Sequence, residues 1–427
     1  MKELELFTPK DRTARQHECL TKWVKNKCKG SITACTGFGK TRVGLNAISA
    51  VHKHYPELKV IVVVPTDVLQ IQWEEQLKER GLQDIATVKI INTIIKHDWV
   101  CSVLVLDEIH RYNSDMFSLI FKKIKYNYIL GLTATFERLD GKHILMEQKC
   151  PVVDSISLGE ALLSGWVSKF TEYQVLIDVD DIHVYDEYQK KFNEDYEFFG
   201  WDFPLVMSMA GPKGYINQID YRDKLVGLHA DQATKSNILK AIKNHSASFM
   251  RNLTARKKFI NNHPKKLELA RKIINARSNA KIITFSNNVA MAEAIGVGNV
   301  YTGKMSKKKG RITIEEFNNK DTGILNTCAK ANEGLDIKGL SVAIIIGLDS
   351  SKTKAVQRTG RVIRFEPGKT AEIFTIVING TVETQWFKNS HKDSDYITID
   401  EKNLEKVLNG EPYETYKKPI QNLAFRF

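Results

Sequence analysis

Short, uninterrupted runs of β-branched and aliphatic residues recur along this chain, each followed by an amphipathic stretch. The first block holds SITA (31–34), VIVVVP (60–65), TVKII (87–91), SVLVLDE (102–108) and YILGLTAT (128–135). A strand that is apolar at every position is covered on both faces, so the runs predict parallel strands packed between helices. The pattern returns at KIITFS (281–286), GILNTC (323–328), SVAIIIG (341–347) and AEIFTIVI (371–378). The expected fold class is therefore α/β, with two tandem domains, which suits a chain of 427 residues.

Between the blocks the character changes. Residues 170–203 include ten aromatics, and residues 241–280 carry ten Lys or Arg against the single acid Glu268. Both parts are expected to be largely helical. Aromatics at this spacing read first as core packing, with a strand-separating wedge as the functional alternative. The cations Arg256, Lys257 and Lys258 are candidate phosphate contacts. The expected organisation is a first domain over 1–165, a middle segment over 166–265, a second domain over 266–400 and a C-terminal extension over 401–427.

The chemistry concentrates at strand ends. Ala34-Cys35-Thr36-Gly37-Phe38-Gly39-Lys40-Thr41 follows the first strand, with Ala34 where a phosphate loop usually has its first glycine. Such a turn can wrap backbone N–H groups round a phosphate, while Lys40 reaches the β- and γ-phosphates and Thr41 offers a hydroxyl to Mg²⁺. Sixty-seven residues after Lys40, the run 103–106 ends in Asp107-Glu108-Ile109-His110. Two carboxylates at the C-terminal edge of a buried strand lie where doubly wound sheets build their sites. Asp107 can hold Mg²⁺ and Glu108 can orient or deprotonate an attacking water.

With further phrases in the same order, these motifs resemble those of superfamily 2 helicases and translocases. Arg15-Gln16 resembles the upstream glutamine region that reads adenine, and Val64-Pro65-Thr66 with Leu69 and Gln72-Trp73 resembles motif Ia. Gly37 to Thr41 resembles motif I, Asp107 to His110 motif II and Thr133-Ala134-Thr135 motif III. In the second block Ile283 to Asn287, Asn332 to Asp336 and Gln357 to Arg364 resemble motifs IV, V and VI. The wording is similar to the branch holding phage recombination and branch-migration helicases and the nucleotide-excision-repair helicases.

The resemblance implies two RecA-like P-loop domains that bind ATP and Mg²⁺ between them, with the largely helical middle segment inserted. It implies catalytic roles for Lys40, Asp107, Glu108, Gln357, Arg361 and Arg364. Nucleotide contacts fall to Gln16, Thr36, Gly37, Phe38, Gly39, Lys40, Thr41 and Asp336, and the metal to Thr41 and Asp107. His110, Thr133 and Thr135 would couple hydrolysis to movement, and Pro65, Thr66, Ser286, Asn287 and Thr327 would line the nucleic-acid track. The implied function is an ATP-dependent DNA helicase or translocase acting on branched or duplex DNA as a monomer. An ATP-dependent RNA helicase and the motor subunit of a restriction or defence complex are the alternatives.

Composition agrees with a polyanionic partner, since 63 Lys and Arg against 50 Asp and Glu give a formal charge of +13. The six cysteines form no CxxC pair and no spaced Cys/His cluster, which argues against a zinc ribbon, an iron–sulfur cluster or a disulfide framework. No apolar run approaches the roughly 20 residues of a membrane span, and the N-terminus lacks a signal-peptide pattern. A cytoplasmic protein is expected, in the host cytoplasm if the chain is of phage origin.

Overall fold

The computed structural model describes residues 11–113, 118–134, 147–211, 214–227, 229–328, 337–349, 359–360, 362–392 and 395–416. The first lobe opens with α1 (Arg12–Lys25), capped by the Asp11 carboxylate, which accepts from the Ala14 N–H. It continues through β1 (Lys29–Ala34), α2 (Lys40–His54), β2 (Val60–Val64), α3 (Asp67–Glu79), β3 (Ala86–Ile90), β4 (Val103–Asp107), β5 (Tyr128–Thr133) and β6 (Val152–Ile156). These strands pair in parallel in the order β3-β2-β4-β5-β1-β6. All residues of β2 and β4 are buried, as continuous apolar runs require.

The second lobe begins earlier than expected. Strand β7 (Lys169–Ile177) pairs in parallel with a strand 201 residues later, from Lys169↔Thr370 to Ile177↔Ile378. The boundary expected at 266 is therefore corrected, because residues 169–177 belong to the second sheet. Buried polar residues hide this strand's core character: Glu172 bonds His391 at 2.9 Å, and Gln174 accepts from the Thr398 hydroxyl at 3.0 Å.

From β7 the chain enters four helices, α4 (Ile182–Phe198), α5 (Phe203–Ala210), α6 (Gly214–Val226) and α7 (Gln232–Asn262), then α8 (Pro264–Ala276). Pro264 sits at the first turn of α8, where a missing N–H costs nothing. Strands β8 (Lys281–Ser286), β9 (Asn299–Tyr301), β10 (Gly323–Cys328), β11 (Val342–Ile345), β12 (Thr370–Ile378) and β13 (Ile397–Asp400) complete a sheet in the order β9-β10-β8-β11-β12-β7-β13. The last helix, Glu401–Asn409, buries Leu404 and Val407 in this lobe's core. That part of the expected extension thus belongs to the second lobe.

Helices α4 to α7 enclose their own core of Tyr196, Phe199, Val206, Met209, Ile242 and Phe249. Phe192 stacks on Phe249 at 4.6 Å. The middle-segment aromatics are thus mainly packing residues. Arg256 is likewise corrected as a phosphate contact: it is buried, with its guanidinium 4.1 Å from the Phe192 ring centroid. Lys257 and Lys258 remain exposed. No helix among the described residues is long and apolar enough to cross a membrane.

Candidate active site

The strand ends converge on one edge of the first sheet. Pairing places Thr33 of β1 opposite Thr133 of β5, and Asp107 of β4 opposite Leu132. The loop after β1 turns through Gly37 and Gly39, whose φ angles of +91° and +94° lie in the left-handed region that glycine adopts without strain. A Cβ on Gly37 would also stand 2.9 Å from a Val167 methyl. Helix α2 starts at Lys40 with Gly39 as N-cap and no side-chain cap, which leaves its first N–H groups for an anion. Lys40 Nζ donates to the Ala34 carbonyl at 3.0 Å, so the residue standing in for the usual glycine holds the ammonium beside the loop. Thr36 and Thr41 are both half-buried on this loop.

Arg15 and Gln16 serve different purposes. Arg15 bonds Asp154 at 2.5 Å and Glu160 at 2.7 Å, tying α1 to β6 and the short helix Leu158–Leu163. Gln16 faces the loop: its Nε2 donates to the Phe38 carbonyl at 2.9 Å, and its buried Oε1 has no hydrogen-bond partner among the described residues. A buried acceptor without a donor is costly, and an adenine amino group is a donor that fits it. Phe38 is buried against Trp166, with ring centroids 5.4 Å apart.

Asp107 ends β4 with both carboxylate oxygens engaged. Oδ2 accepts from Trp73 Nε1–H at 2.9 Å, and Oδ1 accepts from the Glu108 N–H at 3.1 Å. Burial, then the neighbouring Glu108 charge, pushes its pKa up to about 6. A bound cation would relieve that penalty, so the carboxylate fits a metal role. No group of three or more His, Cys, Asp or Glu suited to a metal occurs among the described residues.

Glu108 has φ +52°, an uncommon conformation for a residue with a side chain. The turn is pinned by the Tyr112 hydroxyl, 2.8 Å from the Asp107 carbonyl and 3.0 Å from the Val63 carbonyl. His110 Nδ1 lies 3.4 Å from Glu108 Oε2 and is hydrogen-bonded to Thr133 Oγ1 at 2.8 Å. Glu108, His110 and Thr133 thus form a chain from the acidic turn to the end of β5. Thr135 lies outside the described residues.

The second lobe meets the phosphate loop through backbone. A Cβ built on Gly360 would fall inside the Thr36 side chain, so only glycine permits this approach. Ser168, between the lobes, donates its N–H to the Ile363 carbonyl at 2.8 Å and its hydroxyl to the Arg364 carbonyl at 2.9 Å. Arg364 is half-buried, and burial lowers its guanidinium pKa. Asp336, Gln357 and Arg361 lie outside the described residues.

The expected nucleic-acid track divides. Pro65 and Thr66 are half-exposed beyond β2, and Thr66 caps α3 by accepting from the Leu69 N–H at 3.4 Å. Asn287 donates to Asn261 at 2.7 Å and to the Leu348 carbonyl at 3.0 Å, joining the end of β8 to α7. Ser286 and Thr327 are corrected as side-chain contacts. Both are fully buried, with Ser286 donating to the Thr327 carbonyl at 3.0 Å and Thr327 to the Thr284 carbonyl at 2.7 Å. They brace the strand ends. The motif Ia phrase contains Trp73, but nothing in it shows that the indole reaches Asp107.

Two family models match the chain: the helicase conserved C-terminal domain over residues 265–366, and the type III restriction enzyme res subunit over 10–98 and 89–138. The DNA 3'-5' translocase XPB2 of Sulfurisphaera tokodaii is 27% identical over 390 residues, which cover 86% of this chain and 82% of that one. The structure of S. cerevisiae Dbp5 bound to RNA and ADP BeF3 aligns with 92% of this chain and 91% of that one, at 12% identity and a TM-score of 0.57. That likeness concerns the fold of two RecA-like domains.

Proposed function

The chain belongs to the superfamily 2 helicases and hydrolyses ATP, and we propose that it is a DNA translocase that remodels branched or duplex DNA. The observation carrying this is the meeting of Gly360 with Thr36, because it brings the second lobe onto the phosphate loop beside Asp107 and Glu108. An energy-coupling site split between two lobes changes shape as it fills and empties.

ATP is the substrate, and Mg²⁺, when bound, would supply charge neutralisation for its phosphates. Lys40, now on the Ala34 carbonyl, would turn to the phosphates, Thr41 and Asp107 would hold the metal, and Glu108 would orient the water. Arg361 and Arg364 stabilise developing charge from the second lobe, Gln357 orients the water with Glu108, and Asp336 contacts the ribose. His110 carries the state of Glu108 to Thr133, with Thr135 beside it in sequence, and so towards the lobe interface.

DNA is held at Pro65, Thr66 and Asn287, and along α7. This helix contains no Asp or Glu over its 31 residues. Lys240, Lys243, Arg251 and Lys258 are all exposed, and at 100° per residue they fall within about 80° of arc on one face. Beside them α6 exposes Tyr215 and Ile216, with Lys243 Nζ 4.9 Å from the Tyr215 ring. Cations with a stacking ring suit a nucleic-acid strand. Likeness to XPB2 favours DNA and 3'-to-5' movement, and recombination or repair, in phage-infected cytoplasm, is the proposed setting. The protein works as a monomer.

The test is steady-state ATPase with matched single-stranded DNA, forked DNA and RNA, together with displacement of a third strand from duplex DNA. Stronger stimulation by DNA and displacement that requires ATP are expected. Stronger stimulation by RNA would transfer the site to an RNA helicase, and no stimulation by either would reject the proposal.

A further inference from the structure

Trp73 joins three parts of the first lobe. It lies on α3, seven residues after the N-cap Thr66, and is fully buried. Its Nε1–H donates to Asp107 Oδ2 at 2.9 Å. The same ring presses on α2, where a Cβ built on Gly44 would stand 2.6 Å from Trp73 Cη2. One indole therefore touches both the carboxylate expected to hold the metal and the helix that starts at Lys40.

The rest of α3 is held less deeply: Leu69 is partly buried against the core, and Gln70 Nε2 donates to the Val88 carbonyl at 3.4 Å. Trp73 and Leu77 are its only buried residues, while Val68 and Ile71 are 40% and 50% exposed. Its N-cap hydrogen bond is long, at 3.4 Å. A helix moves as a rod, and seven residues carry a displacement about 10 Å along its axis. A push at Pro65 and Thr66 is therefore carried along α3 to the indole, the first fully buried side chain of the helix, and its hydrogen bond to Asp107.

We infer that Trp73 is a positioning residue: nucleic acid at Pro65 and Thr66 shifts α3, and the indole N–H then sets the orientation of Asp107 against α2. The inference rests on the proposed DNA-dependent ATPase. Asp107 has two oxygens to divide between protein donors and a cation, and the indole fixes which lone pairs stay available. Oδ1 alone, held by the adjacent Glu108 N–H, cannot report on α3, whereas Oδ2 is held from α3 itself. Nucleic acid thereby tightens the metal–nucleotide complex, and by linkage the metal–nucleotide complex tightens nucleic acid.

The test uses Trp73→Phe and, to preserve ring volume, 3-benzothienylalanine at position 73, in which sulfur replaces the N–H. Mn²⁺ binding with a non-hydrolysable ATP analogue is followed by electron paramagnetic resonance, with and without forked DNA. DNA affinity without nucleotide is read by fluorescence anisotropy. In the parent, DNA should tighten Mn²⁺–nucleotide binding by about five- to tenfold, a usual size for coupling between sites. Both variants should keep DNA affinity within about twofold yet lose most of that tightening, and should bind Mn²⁺–nucleotide more weakly without DNA.

Parent-like tightening in either folded variant overturns the inference. Should Trp73→Phe fail to fold, the isosteric variant decides. A parent whose ATPase ignores DNA would reject the proposed function instead. In that event Mn²⁺–nucleotide affinity without DNA still judges the indole, and unchanged affinity in the variants would exclude it as a positioning group for Asp107.

Discussion

Lys266 Nζ lies 2.6 and 2.7 Å from the two carboxylate oxygens of Glu383, and neither side chain is exposed. Lys266 also donates to the Ile346 carbonyl at 3.1 Å, and Glu383 accepts from the Ile378 N–H at 3.2 Å. The pair thus ties α8 to the ends of two central strands of the second lobe. Burial lowers the pKa of Lys266 and raises that of Glu383, and each partner's charge opposes the shift. Removing one partner strands the other, so Lys266→Met should cost about 3 to 5 kcal/mol. Lys266→Met with Glu383→Leu should cost less than the single change, as urea denaturation would show.

The roles proposed for Lys40 and Glu108 belong to different steps. Lys40→Ala removes the charge proposed to reach the phosphates and should weaken nucleotide binding as well as turnover. Glu108→Gln keeps the loop intact and should bind a fluorescent ATP analogue normally while hydrolysis falls by about 10²-fold or more, the usual scale for losing a catalytic acid–base group. Near-parent ATPase from Glu108→Gln would remove it from the mechanism.

Gly360→Ala places a methyl group inside Thr36. ATPase should fall by about 5- to 150-fold, on the scale of about 1 to 3 kcal/mol for overpacking, with little change in melting temperature because the clash lies at the lobe interface. Thr36→Gly in the same chain frees that space and should restore part of the loss. Full activity of Gly360→Ala would show that the lobes do not need this approach.

Exposed and buried cations of α7 should separate cleanly. Replacing Lys240, Arg251 and Lys258 together with Gln should weaken fork binding and lower the log–log salt slope by roughly 2 to 3, at about 0.9 per lost duplex phosphate contact. Arg256→Gln should instead lower the melting temperature and leave the salt slope unchanged, since its guanidinium packs on Phe192. Anisotropy titrations at several salt concentrations read both.

Asp154 anchors α1 at acid-sensitive cost. Burial opposes its charge, but hydrogen bonds from Arg15 and Lys22 prevail and hold its pKa down at about 2. Its folded value lies below the ordinary aspartate value of about 3.9, so the stabilisation is complete above about pH 4 and is lost as pH falls through about 2. The melting-temperature gap between parent and Asp154→Asn should therefore be widest near pH 5 and narrow towards pH 3. A gap independent of pH would assign Asp154 a purely steric role.

The sequence by itself determined the class of fold and marked out the candidate site, because both are written locally. A run such as VIVVV (60–64) can be buried on both faces only in a covered parallel strand, and a GxGKT turn or a strand-terminal Asp-Glu carries its function in adjacent residues. Tertiary structure decided every matter that depends on a distant partner. Glu172 and Gln174 are buried inside a sheet, where His391 and Thr398 satisfy them from distant parts of the chain. Arg256 and Lys266 count equally with exposed Lys257 in a charge tally, yet one packs on aromatic rings and the other pairs with Glu383. Ser286 and Thr327 turn inward because strand pairing sets which face each side chain takes. Trp73 meets Asp107 only because α3 packs back against β2, β3 and α2. A buried polar group needs a partner for its lost water, and chain order alone does not say where in the fold that partner lies.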